Sequence, residues 1–440
     1  MHTEPSPWRP YEPSAAAPWD LRRVVHLHRR AAFGATHAEL QQDLTAGPAV
    51  ALTRLLRGER RVGVPAEFDA LSTMLAESAR LANDPQRLAA WWLWRMLVSP
   101  DPLGERLALL WHDHFATSQL KVMDLGAMRR QNEHLRRDAR APFATLLLAV
   151  VRDPAMLVWL DANANRKAHP NENLARELME LFTLGEGRYS ERDVQEVARA
   201  LTGYSVTADG AVHFAAAHHD DGEKTILGVT AHHDLESVLA LLVAQPATAI
   251  RLARRLCAAF LRPELVTEET VASLAATLRE SSLDVGRAVE LVLRSERFFS
   301  AENLGGVVLG PVQWLMSLVR GLELLEPLPS TLLLAEWCAR LGQELFFPPT
   351  VFGWEGGRAW ITTGSLLGRA RCARELVSGV LTPRTEDPLA SVQRHGALPD
   401  VLARVFFGLE SADTAAEPLA RDAAIQLANR FFAAPKAQLG

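Results

Sequence analysis

The sequence predicts a mainly α-helical protein, and three observations support this fold class. Apolar residues recur every three or four positions along most of the 440-residue chain, which is the spacing of amphipathic helices. Capping-box patterns such as Thr36 with Glu39 precede several of these stretches. Alternation typical of strands is confined to one region. We therefore expect a multi-helix globular bundle with one small β-hairpin excursion around 204–230.

The elements follow from local signals. PQRLAAWWLWRMLV, at about 86–99, is apolar nearly all round and predicts a buried helix. NENLARELMELFTLG, at 171–185, predicts a helix that begins at Asn171 and ends at Gly185. SVTADGAVHF places Asp-Gly between two alternating runs and predicts a hairpin. Two prolines and three glycines break up 345–361, LFFPPTVFGWEGGRAWI, so this aromatic segment is expected to be a loop packed on the body.

The domain organisation is expected to be simple. Residues 1–18 are proline-rich and predict an extended or mobile leader, because proline keeps a segment of this kind out of a helix. A single large helical domain should occupy 19–375, and 376–440 should form a C-terminal helical extension. No fixed-period repeat or low-complexity tract is visible.

Composition narrows the functional classes. The formal net charge is −5, so no basic surplus favours nucleic-acid binding. The three cysteines, Cys257, Cys338 and Cys372, are widely spaced and form neither a disulfide framework nor a cysteine-type zinc pattern. The N-terminus shows no signal peptide, and the longest apolar runs are too short to span a membrane. We therefore expect a cytoplasmic protein with no membrane span.

The predicted helix at 171–185 carries acidic side chains that have two interpretations. Glu172, Arg176 and Glu180 share one face, and Glu177 lies with Glu180 on an adjoining face. These residues could form ordinary ion pairs on a solvated surface. Alternatively, Glu177 and Glu180 point into a polar cleft, where they act as general acid and base or bind a divalent cation.

The motif WHDHF contributes His112 and His114 as catalytic candidates. On a helix, side chains two positions apart point about 200° apart, so the two histidines are not expected to chelate one metal ion. One of them could face a cleft while the other is buried and hydrogen-bonded.

The segment HHDDGEKT, at 218–225, offers possible metal ligands. His219, Asp220 and Asp221, together with Glu177, are the candidate set, and histidine with carboxylate ligands suits Zn²⁺, Mn²⁺ or Fe²⁺. The spacing matches no standard metal motif, so a hydrogen-bonded loop is the alternative.

Two further motifs suggest anion recognition. In EGGRAW, Gly356 and Gly357 would let backbone N–H groups approach an anion, and Arg358 could pair with a carboxylate or phosphate. Arg358 could instead be tied to a structural carboxylate. In HLHRRAAFG, Arg29 and Arg30 could line a pocket for an anion or pair with acids elsewhere.

Five stretches together resemble one bacterial family. They are HLHRRAAFGAT, WHDHFATS, the long run from RDPAMLVWLDANANRKAHPNEN to ARALTGYS, HHDDGEKTILG and FFPPTVFGWEGGRAWI. In this order, over about 20–375, they resemble the domain-of-unknown-function 1800 family. The resemblance implies a mostly helical fold, no established reaction, and a possible partner, an alkaline-phosphatase-like protein encoded nearby. Phe182 stands where many members have histidine, which weakens a metal ligand at that position.

Two functional hypotheses follow. The first is a metal-assisted or acid–base enzyme, hydrolase-like, with a cleft between the 171–185 helix and the 218–225 and 345–361 loops. Its catalytic candidates are Glu177, Glu180, His112, His114 and Arg358, and its cofactor would be a divalent metal ion. The second is a non-catalytic helical scaffold that docks a protein or polymer. Its docking surface would be the aromatic side chains of the 345–361 loop, namely Phe346, Phe347, Phe352, Trp354 and Trp360.

Overall fold

The chain folds mainly into α-helices, as the periodicity predicted. The computed structural model describes residues 6–58, 63–382, 387–409 and 419–440. Within these residues the helices are α1 Leu21–Ala31, α2 His37–Ala46, α3 Pro48–Arg57, α4 Phe68–Ala82, α5 Pro85–Val98, α6 Pro102–His114, α7 Gln119–Val122, α8 Leu125–Arg137, α9 Phe143–Val151, α10 Pro154–Trp159, α11 Asn173–Glu177, α12 Glu191–Ala200, α13 Leu235–Ala244, α14 Pro246–Phe260, α15 Glu268–Glu280, α16 Val285–Leu293, α17 Pro311–Gly321, α18 Thr331–Arg340, α19 Thr363–Val377, α20 Ala390–Gln393, α21 Leu398–Phe407 and α22 Arg421–Ala433.

Shorter helical turns of other types accompany these helices. A π-helix, Leu178–Thr183, directly follows α11. The 3₁₀ turns are Ala162–Ala164, Ala216–His218, Pro263–Leu265, Gly357–Trp360 and Pro435–Gln438.

The β excursion contains two hairpins rather than one. Strands β1 (Tyr204–Val206) and β2 (Val212–Phe214) pair antiparallel around the predicted Asp-Gly turn. Strands β3 (Lys224–Ile226) and β4 (Val229–Ala231) form the second hairpin, in a segment where the sequence suggested a loop. Its two turn residues, Leu227 and Gly228, both have positive φ, at 49° and 80°. This is the geometry of a type I′ turn, which normally carries Asn or Asp where Leu227 stands.

Buried apolar side chains form two extensive groups. One surrounds Trp111 and includes residues of α6, α9 and α13 to α16. The other surrounds Trp92 and Trp314 and includes residues of α5, α17 to α19 and α21. Helix α6 contributes residues to both groups, so the WHDHF motif at its C-terminal end lies where they meet.

The segment 6–18 contains no helix and packs along the body. The Tyr11 backbone N–H donates to the Arg294 carbonyl at 2.8 Å, and the side chains of Trp8 and Tyr11 are buried. Among the described residues, no single helix combines the length and apolar composition needed to cross a bilayer. Helices α13 and α14 meet those criteria only as a pair, which is bent by 72°.

Candidate functional site

Asp113 ties the aromatic loop to the helices. Its Oδ1 accepts a hydrogen bond from the Trp354 backbone N–H at 2.8 Å, and its Oδ2 pairs with the Arg255 guanidinium. Gly353 has φ +78°, and a Cβ there would overlap the Asp113 carboxylate. The loop can therefore approach α6 this closely only with glycine at 353.

His112 holds the start of the same loop. Its Nε2 accepts a hydrogen bond from the Phe346 backbone N–H at 3.2 Å, and the Trp92 ring meets its ring edge-on at 5.3 Å. Burial lowers the pKa of His112 to about 4, so the ring is neutral near pH 7. Phe346 has φ +67°, which is uncommon for a bulky residue. The Phe346 carbonyl also accepts from the Gln119 N–H at 2.9 Å, and these two bonds hold the strained residue in place.

His114 points away from His112 and contacts the π-helix. Its Nε2 lies 3.3 Å from the Phe182 carbonyl, and Arg251 Nε donates to the Leu181 carbonyl at 2.6 Å. Because a carbonyl only accepts, Nε2 carries the proton in this contact. Burial and the neighbouring Arg255 and Arg251 lower the pKa of His114 well below its usual range. Two carbonyl groups near the end of the π-helix thus accept hydrogen bonds from side chains of α6 and α14.

Two adjoining clefts lie beside these contacts. The main cleft has a volume of about 430 Å³ and lies between α6, α14, segment 307–313 and the loop residues Trp354 to Gly357 and Trp360. The side cleft, about 270 Å³, lies between α14, Leu181 of the π-helix, and Val351 and Phe352. The volume of the main cleft is within the range of sites for small organic ligands, and that of the side cleft is just below it. Asp113, Arg254 and Arg255 line both clefts.

Five arginines converge on the two clefts. Arg30 of α1 and Arg106 of α6 line the main cleft, Arg251 lines the side cleft, and Arg254 and Arg255 line both. The described residues offer no carboxylate partner within ion-pair distance to three of them, Arg30, Arg106 and Arg251. An arginine cluster with so few counter-charges is uncommon, because like charges repel and buried ions are normally paired.

Arg30 and Arg106 are the most buried members of the cluster. They are 1% and 8% exposed, and both donate to the Ala259 carbonyl near the C-terminal end of α14, at 2.8 Å and 3.4 Å. Their Nε groups, like that of Arg255, have no acceptor among the described residues. Burial, reinforced by neighbouring guanidinium groups, lowers the pKa of Arg30 to about 9 and that of Arg106 to about 10. Both therefore remain mostly charged near pH 7.

The main cleft carries little negative charge. Gln313 lines it, and the Gln313 Nε2 is buried without an acceptor among the described residues. Asp113 and Glu355 are the acidic residues that line the clefts, and Asp113 is already engaged by Arg255 and Trp354. The clefts are thus positively charged, although the chain as a whole is acidic.

Glu177 and Glu180 lie beside the clefts without lining them. Glu180 accepts a hydrogen bond from the Tyr189 hydroxyl at 2.7 Å. Burial and the nearby Glu180 raise the pKa of the partly exposed Glu177. Arg176, on the neighbouring face, pairs with Glu172 at 3.0 Å and Glu191 at 2.7 Å. The pair with Glu172 is a surface ion pair of the kind that the sequence offered as one interpretation, whereas the pair with Glu191 of α12 was not predicted.

The segment 218–225 makes its polar contacts with α12 and the residues around it. Asp220 pairs with Arg199 at 2.7 Å, and Lys224 Nζ donates to the Asp220 carbonyl at 2.6 Å. His219 Nδ1 lies 3.0 Å from the Thr202 carbonyl, and the Asp221 carbonyl lies 2.7 Å from a nitrogen of His232. These contacts make the segment a hydrogen-bonded loop that continues into β3.

No three histidine, cysteine or acidic side chains converge to hold a metal ion in the described part of the chain. The candidate set of Glu177, His219, Asp220 and Asp221 is therefore not gathered there. The sequence predicted one cleft between three segments. The end of the π-helix and the 345–361 loop do share the side cleft, whereas neither cleft is lined by 218–225.

The aromatic loop is packed on the body only in part. Phe346 and Trp354 are 1% and 8% exposed, whereas Phe352 is 68% exposed at the rim of the side cleft. Arg358 is exposed near Glu264, and its preceding glycines line the main cleft.

Most of the arginine cluster was missed in the sequence. For Arg29 and Arg30 the sequence offered either the lining of an anion pocket or pairing with acids elsewhere. Arg30 lines the main cleft, and Arg29 lines a separate pocket of about 210 Å³ and donates to the Phe406 carbonyl at 2.8 Å. Arg251, Arg254 and Arg255 were missed despite a readable signal. They are spaced i, i+3 and i+4 in the apolar run AIRLARRLCAAF, and this spacing places all three on one side of a helix.

One family model matches the chain over residues 26–437, under the description "protein of unknown function (DUF1800)". The chain belongs to this family. The match extends beyond the stretches that suggested the resemblance and includes most of the C-terminal helices. A search of curated proteins and a search of solved structures found no match. Membership in DUF1800 carries no activity with it, so function must be inferred from the site.

Proposed function

We propose that this DUF1800 protein binds a small anionic ligand, a phosphate or carboxylate, in its arginine-lined clefts. One observation carries the proposal. Arg30 and Arg106 are buried, line the main cleft, and have no carboxylate within ion-pair distance among the described residues. A bound oxyanion would supply the missing counter-charge.

The proposal is supported by the unfavourable electrostatic free energy of the arginine cluster when no anion is bound. Burying an unpaired cation is unfavourable, and placing several together adds mutual repulsion. Guanidinium groups form strong, often bidentate hydrogen bonds to carboxylates and phosphates. A purely structural role for Arg30 and Arg106, as donors to the Ala259 carbonyl, uses only one acceptor for two cations.

Calorimetric titration with inorganic phosphate tests the proposal. Arg106→Gln should weaken phosphate binding by about tenfold or more, the equivalent of about 1.4 kcal/mol for one charge-assisted contact. Arg254→Gln, at an exposed position of the same clefts, should weaken it without threatening the fold. Arg176→Gln is the matched control, because Arg176 pairs with Glu172 and Glu191 away from the clefts. Absence of binding to the parent at millimolar phosphate, or equal loss in the control, would overturn the proposal.

The hydrolase-like activity predicted from sequence is the second candidate function. It is favoured by the raised pKa of Glu177, because a carboxyl group with increased proton affinity suits general acid–base chemistry. Phosphate and carboxylate esters are the substrates to assay. Turnover that is lost in Glu177→Gln would support this function, and turnover that persists would refute Glu177 as its acid or base. Elemental analysis of the purified parent tests the divalent metal that this mechanism could use.

The alternative function, docking of a partner by the aromatic loop, is favoured by the exposure of Phe352. The alkaline-phosphatase-like protein suggested by the family resemblance is the partner to test. Co-purification of the two proteins that is abolished by Phe352→Ser would support docking. Co-purification that is unaffected by this substitution would exclude Phe352 as the contact.

A further inference from the structure

We infer that the ligand of the main cleft is an aromatic oxyanion, a molecule that carries its phosphate or carboxylate on a planar ring. This inference rests on the proposed function, because it takes the anion site at Arg30 and Arg106 as the anchor. It adds the class of organic group that is attached to the anion.

The evidence is the indole wall of the main cleft, which Trp354 and Trp360 form. Trp354 and the partly exposed Trp360 line the main cleft together with Gln343 and Gly310. A Cβ at Gly310 would lie 3.5 Å from the Trp360 Nε1, so this edge of the indole is close to the glycine backbone. Flat indole surfaces favour stacking with other aromatic rings.

Aliphatic side chains complete the apolar lining. The residues concerned are Leu261, Pro263, Val266, Val307 and Val308. An apolar wall of this kind gives no stabilisation to a free inorganic ion, whereas it does stabilise a buried hydrocarbon surface. The presence of both walls in one cleft therefore favours a ligand with one anionic end and one apolar end.

The size of the cleft supports the same conclusion. Its volume of about 430 Å³ falls in the range of sites that bury most of a small organic molecule. A single phosphate ion has only five heavy atoms and would leave most of this space to water. An aromatic ring attached to the ion would fill part of this space.

The experiment compares matched probes by calorimetric titration of the full-length protein. Phenyl phosphate and methyl phosphate share the anion and differ in the ring, and benzoate and acetate form the corresponding carboxylate pair. At least one aromatic probe should bind about tenfold or more tightly than its methyl counterpart, which is the gain that about 60 Å² of buried apolar surface provides.

Two tryptophan variants test whether the indole wall causes the tighter binding of the aromatic probes. Trp360→Leu should reduce the aromatic preference severalfold while leaving the affinity for the methyl probe unchanged. Trp159→Leu is the matched control, because Trp159 is also partly buried but lies outside the main cleft, beside Lys121. The control should retain the full preference.

The outcomes separate this inference from the proposed function. If aromatic and methyl probes bind equally and depend on Arg106, the arginine site stands and the aromatic inference is overturned. If an aromatic preference survives Trp360→Leu, the indole wall is not its cause and the inference also fails. If no probe binds to the parent, both proposals fail. Whichever pair shows the preference identifies the anion as phosphate or carboxylate.

Discussion

Replacement of Asp113 should destabilise the fold in two separable steps. Asp113→Asn keeps an oxygen that can accept from the Trp354 N–H, but it removes the charge that pairs with Arg255. Asp113→Ala removes both acceptors and leaves the Trp354 N–H, at a largely buried residue, without its partner. The alanine variant should therefore be the less stable of the two.

The burial of the groups involved determines how much stability each replacement should remove. The Asp113 and Arg255 side chains are 21% and 29% exposed, so their ion pair is partly screened and its loss should cost about 1–2 kcal/mol. Leaving a buried N–H unsatisfied costs about 1–3 kcal/mol more. The free energy of unfolding should therefore fall by about 1–2 kcal/mol in Asp113→Asn and by about 2–5 kcal/mol in Asp113→Ala.

Urea denaturation, followed by circular dichroism, measures both values. Glu268→Gln is the matched control, since Glu268 pairs with the neighbouring Arg254 but is 83% exposed. Loss of the Glu268–Arg254 ion pair should change the free energy of unfolding by less than about 0.5 kcal/mol. Equal stability of the asparagine and alanine variants would refute the role of the Trp354 hydrogen bond. Parent-like stability of both variants would refute Asp113 as an anchor of the loop.

Three further predictions follow from the same region. Gly353→Ala should lower the free energy of unfolding by about 2–4 kcal/mol, because φ is +78° and a Cβ would overlap Asp113; a change below about 1 kcal/mol in urea denaturation would contradict this. His112 has a folded pKa of about 4, below that of the unfolded chain, so its contribution to stability is complete above about pH 6.5 and is lost as pH falls towards 4. The slope of stability against pH in that window should be smaller in His112→Gln, and an unchanged slope would be inconsistent with burial of the neutral ring. Glu177→Gln should raise the melting temperature slightly at pH 7, because it removes a partly buried charge beside Glu180. The matching gain in the free energy of unfolding should be less than about 1 kcal/mol. A clear loss of stability would instead indicate that Glu177 forms a structural ion pair.

The helical class of the fold was predictable because periodicity is a local property. The π-helix at Leu178–Thr183 was not, since LMELFT reads as an ordinary helical turn. The Phe182 carbonyl accepts from His114, which is 68 residues away along the chain. The Leu181 carbonyl accepts from Arg251, which is 70 residues away. The second hairpin was missed for a different reason. Leu227 occupies a positive-φ position for which the usual sequence signal is asparagine or aspartate.

The candidate site was predictable only in part, because it depends on which chain segments meet. The sequence indicated WHDHF, the 171–185 helix and the 218–225 and 345–361 loops as parts of one site. Contacts of Asp113, His112 and His114 connect WHDHF with the helix and with the 345–361 loop, whereas 218–225 lines neither cleft. Arg30 and Arg106 come from separate helices and meet at the end of a third, at the Ala259 carbonyl. A contact of this kind, between helices that are far apart in the chain, cannot be predicted from residue spacing.

The most direct test of anion binding is crystallographic. Crystals of the parent protein soaked in tungstate, a heavy oxyanion that resembles phosphate, should show an anomalous peak within hydrogen-bonding distance of the Arg30 and Arg106 guanidinium groups. The same soak of Arg106→Gln crystals should lose that peak while retaining peaks at other surface sites. Clear tungstate peaks elsewhere, with none in the main cleft of the parent, would contradict the proposal that the buried arginines form an anion site.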